Sequence, residues 1–323
     1  MVLLYLDRPI FIHGFNHRLG SIQRNLQELQ EEKLLVGTVD NLSAVGYRQN
    51  FGLAKDETLL GLASTPLSLA LRVAPEPRAL ISQHCYAESA VLACDVGEVD
   101  VALRNRYFAA ELMRKLEVDD VPYFCSFASG CSGFMSILAA AGGLFTSSHE
   151  GSAICLVADS TPPGVPYNMA RERILGSDHS SAFVIGCEQH GYQLLGINYY
   201  STTRTAVPFV EIVKRTVEMI QELATSLQLD LAKSDVAIHY PNIFRDTWKL
   251  VTRSLRLERV EHVLDGMAER AHCMASDAVI SLTKLHRGWG GRIHVVVNYG
   301  IGLHLGVCVL KEQETNGHKT AQV

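Results

Sequence analysis

Phe127-Ala128-Ser129-Gly130-Cys131-Ser132-Gly133-Phe134 joins an apolar run, Pro122 to Phe127, to the small-residue stretch Met135-Ser136-Ile137-Leu138-Ala139-Ala140-Ala141-Gly142-Gly143. The pattern predicts a strand, a tight turn and a helix rich in Ala, Leu and Ile, with Cys131 where the helix begins. A thiol at that place meets unpaired backbone N–H groups and the positive end of the helix dipole, and both favour the thiolate. Glycines on either side let a substrate carbonyl come close to the backbone. Together these are the parts of a nucleophile with an oxyanion-binding donor beside it. A buried structural cysteine packs in similar surroundings as a small hydrophobe. The rest of the chain decides between the two.

The 323 residues suggest about two domain-sized units. A hydrophobic fraction of 47% with 20% charged residues is that of an ordinary soluble globular protein. A net charge of −5, with no Lys/Arg run to offset it, argues against a nucleic-acid binder. The eight cysteines are scattered without a CxxC pair, and Cys125, Cys155, Cys187 and Cys308 lie in apolar runs, where reduced, buried thiols are expected. Asp7, Arg8 and Pro9 interrupt the apolar start before a signal peptide's core is complete. No run reaches the roughly 20 apolar residues of a membrane span. The expectation is a reduced, cytoplasmic protein.

Along the chain, Ile10 to Gly14 predicts a first strand, and Ile22, Leu26 and Leu29 place a helix over Ser21 to Leu35. Thr38 to Lys55 reads as glycine-rich and irregular, and Glu57 to Val73 as a helix ended by Pro75 and Pro77. Ala153 to Ala158 and Ala182 to Gly186 are continuous apolar strands of the kind buried on both faces. The second half has the same grammar: a helix over Val210 to Leu227, a strand over Asp235 to His239, a buried helix over Met274 to Leu282, and closing strands at Ile293 to Asn298 and Leu303 to Leu310. This is an internal duplication in pattern rather than identity, with halves at 1–195 and 196–323. The helix opened by Cys131 then corresponds to the one opened near His272-Cys273. If equivalent helices meet centrally, both helix starts come to one site.

Four segments in register carry a family resemblance. Ala128-Ser129-Gly130-Cys131-Ser132-Gly133-Phe134, Gly176-Ser177-Asp178-His179-Ser180-Ser181-Ala182, Ile238-His239-Tyr240-Pro241-Asn242 and Asn298-Tyr299-Gly300-Ile301-Gly302 resemble the nucleophile motif, the GDGA turn, the HQAN segment and the glycine-rich loop of β-ketoacyl-acyl-carrier-protein synthase III and its thiolase-superfamily relatives. The resemblance runs from Ile10 to Leu310. It implies a thiolase-like αβαβα fold of two similar halves and an acyltransferase with no bound cofactor or metal. It implies acyl thioesters of coenzyme A or of an acyl carrier protein as substrates, and a homodimer or a heterodimer with a related subunit. It also implies Cys131 as the acylated nucleophile, His239 as a catalytic histidine, and backbone N–H groups of Cys131 and Ile301 as the oxyanion hole.

The departures shape the function. The family's third catalytic residue is an asparagine; here Ala271-His272-Cys273-Met274-Ala275-Ser276-Asp277 stands in that place, with His272 at the position. Histidine still donates a hydrogen bond to a thioester carbonyl or an enolate. Asp277 and Asn298 are candidates to orient the site, or Asp277 merely caps its helix. The Trp-containing coenzyme A segment is missing and Phe244 replaces the arginine that follows HQAN, so a specialised, polyketide-like or fatty-acid-like pathway fits better than housekeeping synthesis. The expected reaction is Claisen-type condensation. The alternatives are acyl transfer to a hydroxyl or amine without decarboxylation, and a non-catalytic partner subunit, against which the retained Cys131 and His239 count. His13 and His17, four residues apart, are expected in a loop and not in a metal site. His286, His294 and His304 read as structural.

Overall fold

A computed structural model describes residues 2–4, 8–83, 101–118, 120–126, 130–145, 151–162, 164–169, 173–204, 207–257, 260–286, 288, 290–300 and 304–314. The first half runs β1 (Val2–Leu4), β2 (Ile10–Leu19), β3 (Ile22–Asn25), α1 (Leu26–Glu31), α2 (Val39–Val45), β4 (Gln49–Gly52), α3 (Leu59–Val73), β5 (Leu80–Gln83), α4 (Val101–Lys115) and β6 (Tyr123–Ser126). A 3-10 turn at Gly130–Ser132 then enters α5 (Gly133–Leu144), followed by β7 (Ser152–Asp159), the small hairpin β8 (Asn168–Met169) and β9 (Ile174–Leu175), and β10 (His179–Gly186). The second half has β11 (Tyr192–Ser201), α6 (Phe209–Ser226), β12 (Val236–His239), α7 (Arg245–Leu255), β13 (Val260–Val263), α8 (Gly266–Arg270), α9 (Ser276–Leu285), β14 (Ile293–Gly300) and β15 (His304–Glu312).

The duplication legible in the sequence is a duplication of topology. The first half orders its strands β6-β5-β7-β10-β2 and the second β13-β12-β14-β15-β11. Numbered within each half, both read third, second, fourth, fifth, first. In each, the second strand lies parallel to both neighbours and the fifth antiparallel to both of its own. The halves join where Tyr192, Gln193 and Leu194 of β11 pair antiparallel with Ile12, Phe11 and Ile10 of β2. The 195/196 division therefore falls inside β11, a strand that also bonds the first half.

Alternation along these strands builds five layers. Side chains such as Ile81, Cys155, Phe183, Val296 and Cys308 turn inward onto α5 and α9 in one shared core. Leu80, Ile154, Leu156 and Val184 turn the other way, onto α3 and α4. Ile238, Val295, Val297 and Val307 turn onto α6 and α7. This is the αβαβα arrangement, with α5 and α9 at the centre. Strands buried on both faces need apolar residues at nearly every position, and β7, β10 and β14 supply them. No helix among the described residues is long and apolar enough to cross a membrane.

The structure corrects several local expectations. Ile22 belongs to β3, paired with β4, so the helix expected from Ser21 starts only at Leu26. A capping box fixes that start: Asn25 Oδ1 accepts the Glu28 N–H at 3.0 Å and Glu28 Oε2 accepts the Asn25 N–H at 2.7 Å. The stretch read as irregular, Thr38 to Lys55, contains α2 and β4. His13 and His17 lie on β2, paired with Val184 and Ser181, because the first strand runs five residues beyond Gly14. His179 is on β10 and Tyr299 on β14, both expected in turns.

Phe183 sits at the centre of the shared core, its ring 5.5 Å from Phe134 and 5.7 Å from Phe15. Phe183→Ala should lower the unfolding free energy by about 3–5 kcal/mol. Val210→Ala, at a side chain 77% exposed, should stay within about 0.5 kcal/mol. Urea unfolding of both variants checks the pair.

Candidate active site

Cys131 is 7% exposed and lies in the 3-10 turn that delivers the chain into α5. Gly130 adopts φ +50, a conformation that suits glycine. Its carbonyl accepts a hydrogen bond from Gln83 Nε2 at 3.1 Å, which ties the turn to the carboxyl end of β5. A Cβ on Gly133 would sit 2.3 Å from Gln83 Cδ, so any larger residue there would have to displace the Gln83 side chain that ties the turn to the strand. The turn also packs against β14 of the second half.

From that half comes His272, between α8 and α9. Its backbone pairs with the first half: the His272 N–H donates to Leu175 O at 2.9 Å, and the Ser177 N–H donates to His272 O at 3.0 Å. Ala271 (φ +57, ψ −152) and Met274 (φ +44) hold conformations that side-chain-bearing residues seldom adopt. Such conformations persist where the surroundings over-determine them and cluster at functional sites. Met274 brings its Sδ to 3.3 Å from Cys131 Sγ.

The His272 ring is fully buried and fixed by Asp277. Nδ1 donates to Asp277 Oδ2 at 2.7 Å, which sets the orientation of Nε2. Asp277, in the first turn of α9, also accepts the Asn242 N–H on Oδ2 at 2.9 Å, and Asn242 Nδ2 at 2.9 Å and the Cys273 N–H at 3.1 Å on Oδ1. Asn242 is itself held by Tyr47, whose hydroxyl donates to its carbonyl at 2.8 Å. Nε2 of His272 meets no nitrogen or oxygen partner of standard geometry. Cys131 is close enough to act on the ring as a charge and as a hydrogen-bonding neighbour.

Burial alone would lower the His272 pKa. The charges of Cys131 and Asp277 and their hydrogen bonds outweigh it, and the pKa is raised to about 10. Burial likewise opposes ionisation of Asp277, but the His272 charge, its hydrogen bond and the Arg270 charge bring that carboxyl below its ordinary value. The pair is therefore ionic, imidazolium against carboxylate, beside the cysteine.

The structure thus brings together Cys131, His272 and Asp277. His239 sits on the inward face of β12, yet both its ring nitrogens are engaged elsewhere: Nδ1 with Ser281 Oγ at 2.6 Å and Nε2 with His294 Nδ1 at 2.9 Å. His294 continues to Glu312 Oε2 at 3.3 Å. Burial, then the neighbouring His294 and Arg292, push the His239 pKa well down. Asn298, on β14, is buried with both amide atoms unpartnered. Ile301, the second expected oxyanion donor, lies outside the described residues, as do Phe127, Ala128 and Ser129 of the nucleophile motif. No cluster of His, Cys, Asp or Glu among the described residues has metal-binding geometry.

Sequence reading missed the parts of Asn242, Met274 and Tyr47. Asn242 stands in the motif quoted for His239, so its presence was visible and its partner was not. Tyr47 lies in the segment read as irregular.

No family model matches the sequence, and no curated protein does. Solved structures do match in fold. ChlB3, described as an acyltransferase, superposes with a TM-score of 0.75 at 18% identity over 95% of this chain and 98% of its own. The priming β-ketosynthase of the R1128 polyketide pathway gives 0.74 at 13% identity, over 97% and 99%. The 3-oxoacyl-acyl-carrier-protein synthase III of Aquifex aeolicus gives 0.72 at 16% identity, over 94% and 99%. Over nearly its whole length, the chain has the fold of synthase III-like proteins of the thiolase superfamily.

Proposed function

We propose that this protein is an acyl-thioester transferase that carries the acyl group on Cys131 and passes it to a hydroxyl or amine. The observation that supports this most directly is the buried ion pair of His272 and Asp277 beside the thiol. Cys131 Sγ attacks the thioester carbonyl, and the departing thiolate takes the proton from His272 Nε2. Acylation removes one of the influences that raise the His272 pKa, and the ring, having given up its proton, is the base of the acyl-enzyme. It then takes the proton from the acceptor O–H or N–H as the new bond forms, and Cys131 leaves as thiolate. Asp277 keeps the tautomer fixed throughout. The fold likeness to a protein described as an acyltransferase agrees with this reading.

Claisen-type condensation is the second reading. The unpartnered amide of Asn298, buried on the inward face of β14, favours it, because an enolate needs donors rather than a base. The substrates in either case are thioesters of coenzyme A or of a carrier protein. A dimer fits the edge of β6, the last strand of the sheet among the described residues, where Tyr123 is 39% and Phe124 51% exposed.

Cys131→Ala should take up no acyl mass from a panel of acyl thioesters, as read by intact-mass spectrometry. Acylation of another cysteine in that variant would overturn the assignment. A labelled malonyl thioester separates the two readings: carbon dioxide released by loaded enzyme selects condensation, and discharge to an amine without release selects transfer.

Because His272 holds its proton up to about pH 10, loading that uses this proton should decline only as pH approaches that value. Asp277→Asn removes one of the charges that raise it, so the alkaline limb should move to lower pH and the rate should fall about 10²-fold or more. His239→Asn should leave the limb in place. Stopped-time loading across pH 6–11 checks both.

Phe124→Lys should shift the oligomer toward monomer in size-exclusion chromatography with light scattering. A monomeric mass for the unaltered protein would exclude pairing through β6.

A further inference from the structure

His179 is a polar residue of the central layer that the chemistry above does not use. It is fully buried, and neither ring nitrogen has a hydrogen-bond partner. Its place beside the site follows from the backbone. Gly176 bridges to His272, and Ser181 Oγ meets Ser276 Oγ at 2.7 Å, so residues 176–181 run alongside 272–276. His179 lies between these two ties, on the same inward face as Ser181, Phe183 and Ile185. Asp277 and His272 are the charges that act on its ring. Burial, its largest influence, lowers its pKa to about 3 and keeps it neutral.

A buried imidazole without partners costs the protein stability, since its N–H and its lone pair have lost water and gained nothing. Such a group is retained where a ligand completes it. We propose that His179 is a substrate-binding residue that holds a second hydroxyl group of the acyl acceptor, next to the hydroxyl or amine that is acylated. This rests on the acyl-transfer reading. A hydroxyl both donates and accepts, so it satisfies either tautomer of a neutral ring. A carboxylate there would be repelled by the Asp277 charge, which acts on this ring. The acceptor class is therefore a polyol or amino alcohol rather than an acid.

Two measurements test this, one independent of turnover. His179→Leu replaces the unpartnered ring by an apolar side chain of similar volume, and the melting temperature should rise by about 2–4 °C. A lower melting temperature would mean that the ring has an internal structural partner and would overturn the proposal. The second test loads Cys131 from an acyl-N-acetylcysteamine thioester and discharges it with 3-aminopropan-1-ol or with propylamine. The ratio of the two discharge rates should fall about tenfold from wild type to His179→Leu, and His179→Gln, which keeps a donor and an acceptor, should recover part of it. An unchanged ratio, or equal losses in loading and discharge, would sink the role of His179 alone. Wild-type protein that takes no acyl group on Cys131 would instead sink the acyl-transfer reading.

Discussion

The Asp277 carboxylate, buried beside the His272 ring, is the interaction on which the candidate site depends. An ion pair at this depth gives up the hydration of both partners, and it persists only if every remaining lone pair finds a donor. Asp277 finds them in Asn242, through backbone and side chain, and in the Cys273 N–H. Asn242 closes the end of β12, and Cys273 follows the strained Ala271 on the way into α9. One carboxylate thus binds the strand end, the left-handed connection and the helix start into a single rigid piece.

The duplicated topology brings that piece to the cysteine. Each half places a helix on the inward face of its sheet, and α5 and α9 share one core between the sheets. The turns that lead into them meet, with Cys131 Sγ 3.3 Å from Met274 Sδ. The small residues of the Cys131 turn allow this approach, as Gly133 against Gln83 shows. A side chain at position 133 would displace the Gln83 side chain and with it the hydrogen bond to Gly130 O.

The second polar system of the central layer runs the other way. His239, His294 and Glu312 form a hydrogen-bonded line between α9 and the second sheet, with Tyr192 edge-on to His294. Register explains it: Ala237 pairs with His294 across β12 and β14, so the two histidines are neighbours on one face and their rings stack at 5.2 Å. A histidine at the end of a strand reads the same in sequence whether it turns toward a thiol or toward a second histidine. His294, set aside as structural, is the residue that decides where His239 points.

In the sequence, unbroken apolar runs that recur in the same order in the two halves gave a duplicated pattern, and the four motifs' resemblance to the synthase III family implied the layered fold. Cys131 stood out by its small-residue turn and helix start, whereas His239, His272 and Asp277 were candidates by their places in the resembling motifs. Sequence reading missed β3, α2 and β4, which are short and carry little apolar periodicity; the two strands are defined by partners 24 or 28 residues away, Asn25 with Gln49 and Gln23 with Phe51. Tertiary structure decided which histidine ring lies beside the cysteine. That choice depends on ring orientation, and each ring is held by side-chain partners: Asp277, steadied by Asn242, holds His272, and Ser281 and His294 hold His239. Hydrogen bonds between side chains leave no periodic trace in a sequence, so the orientation of the two rings is legible only once the chain is folded.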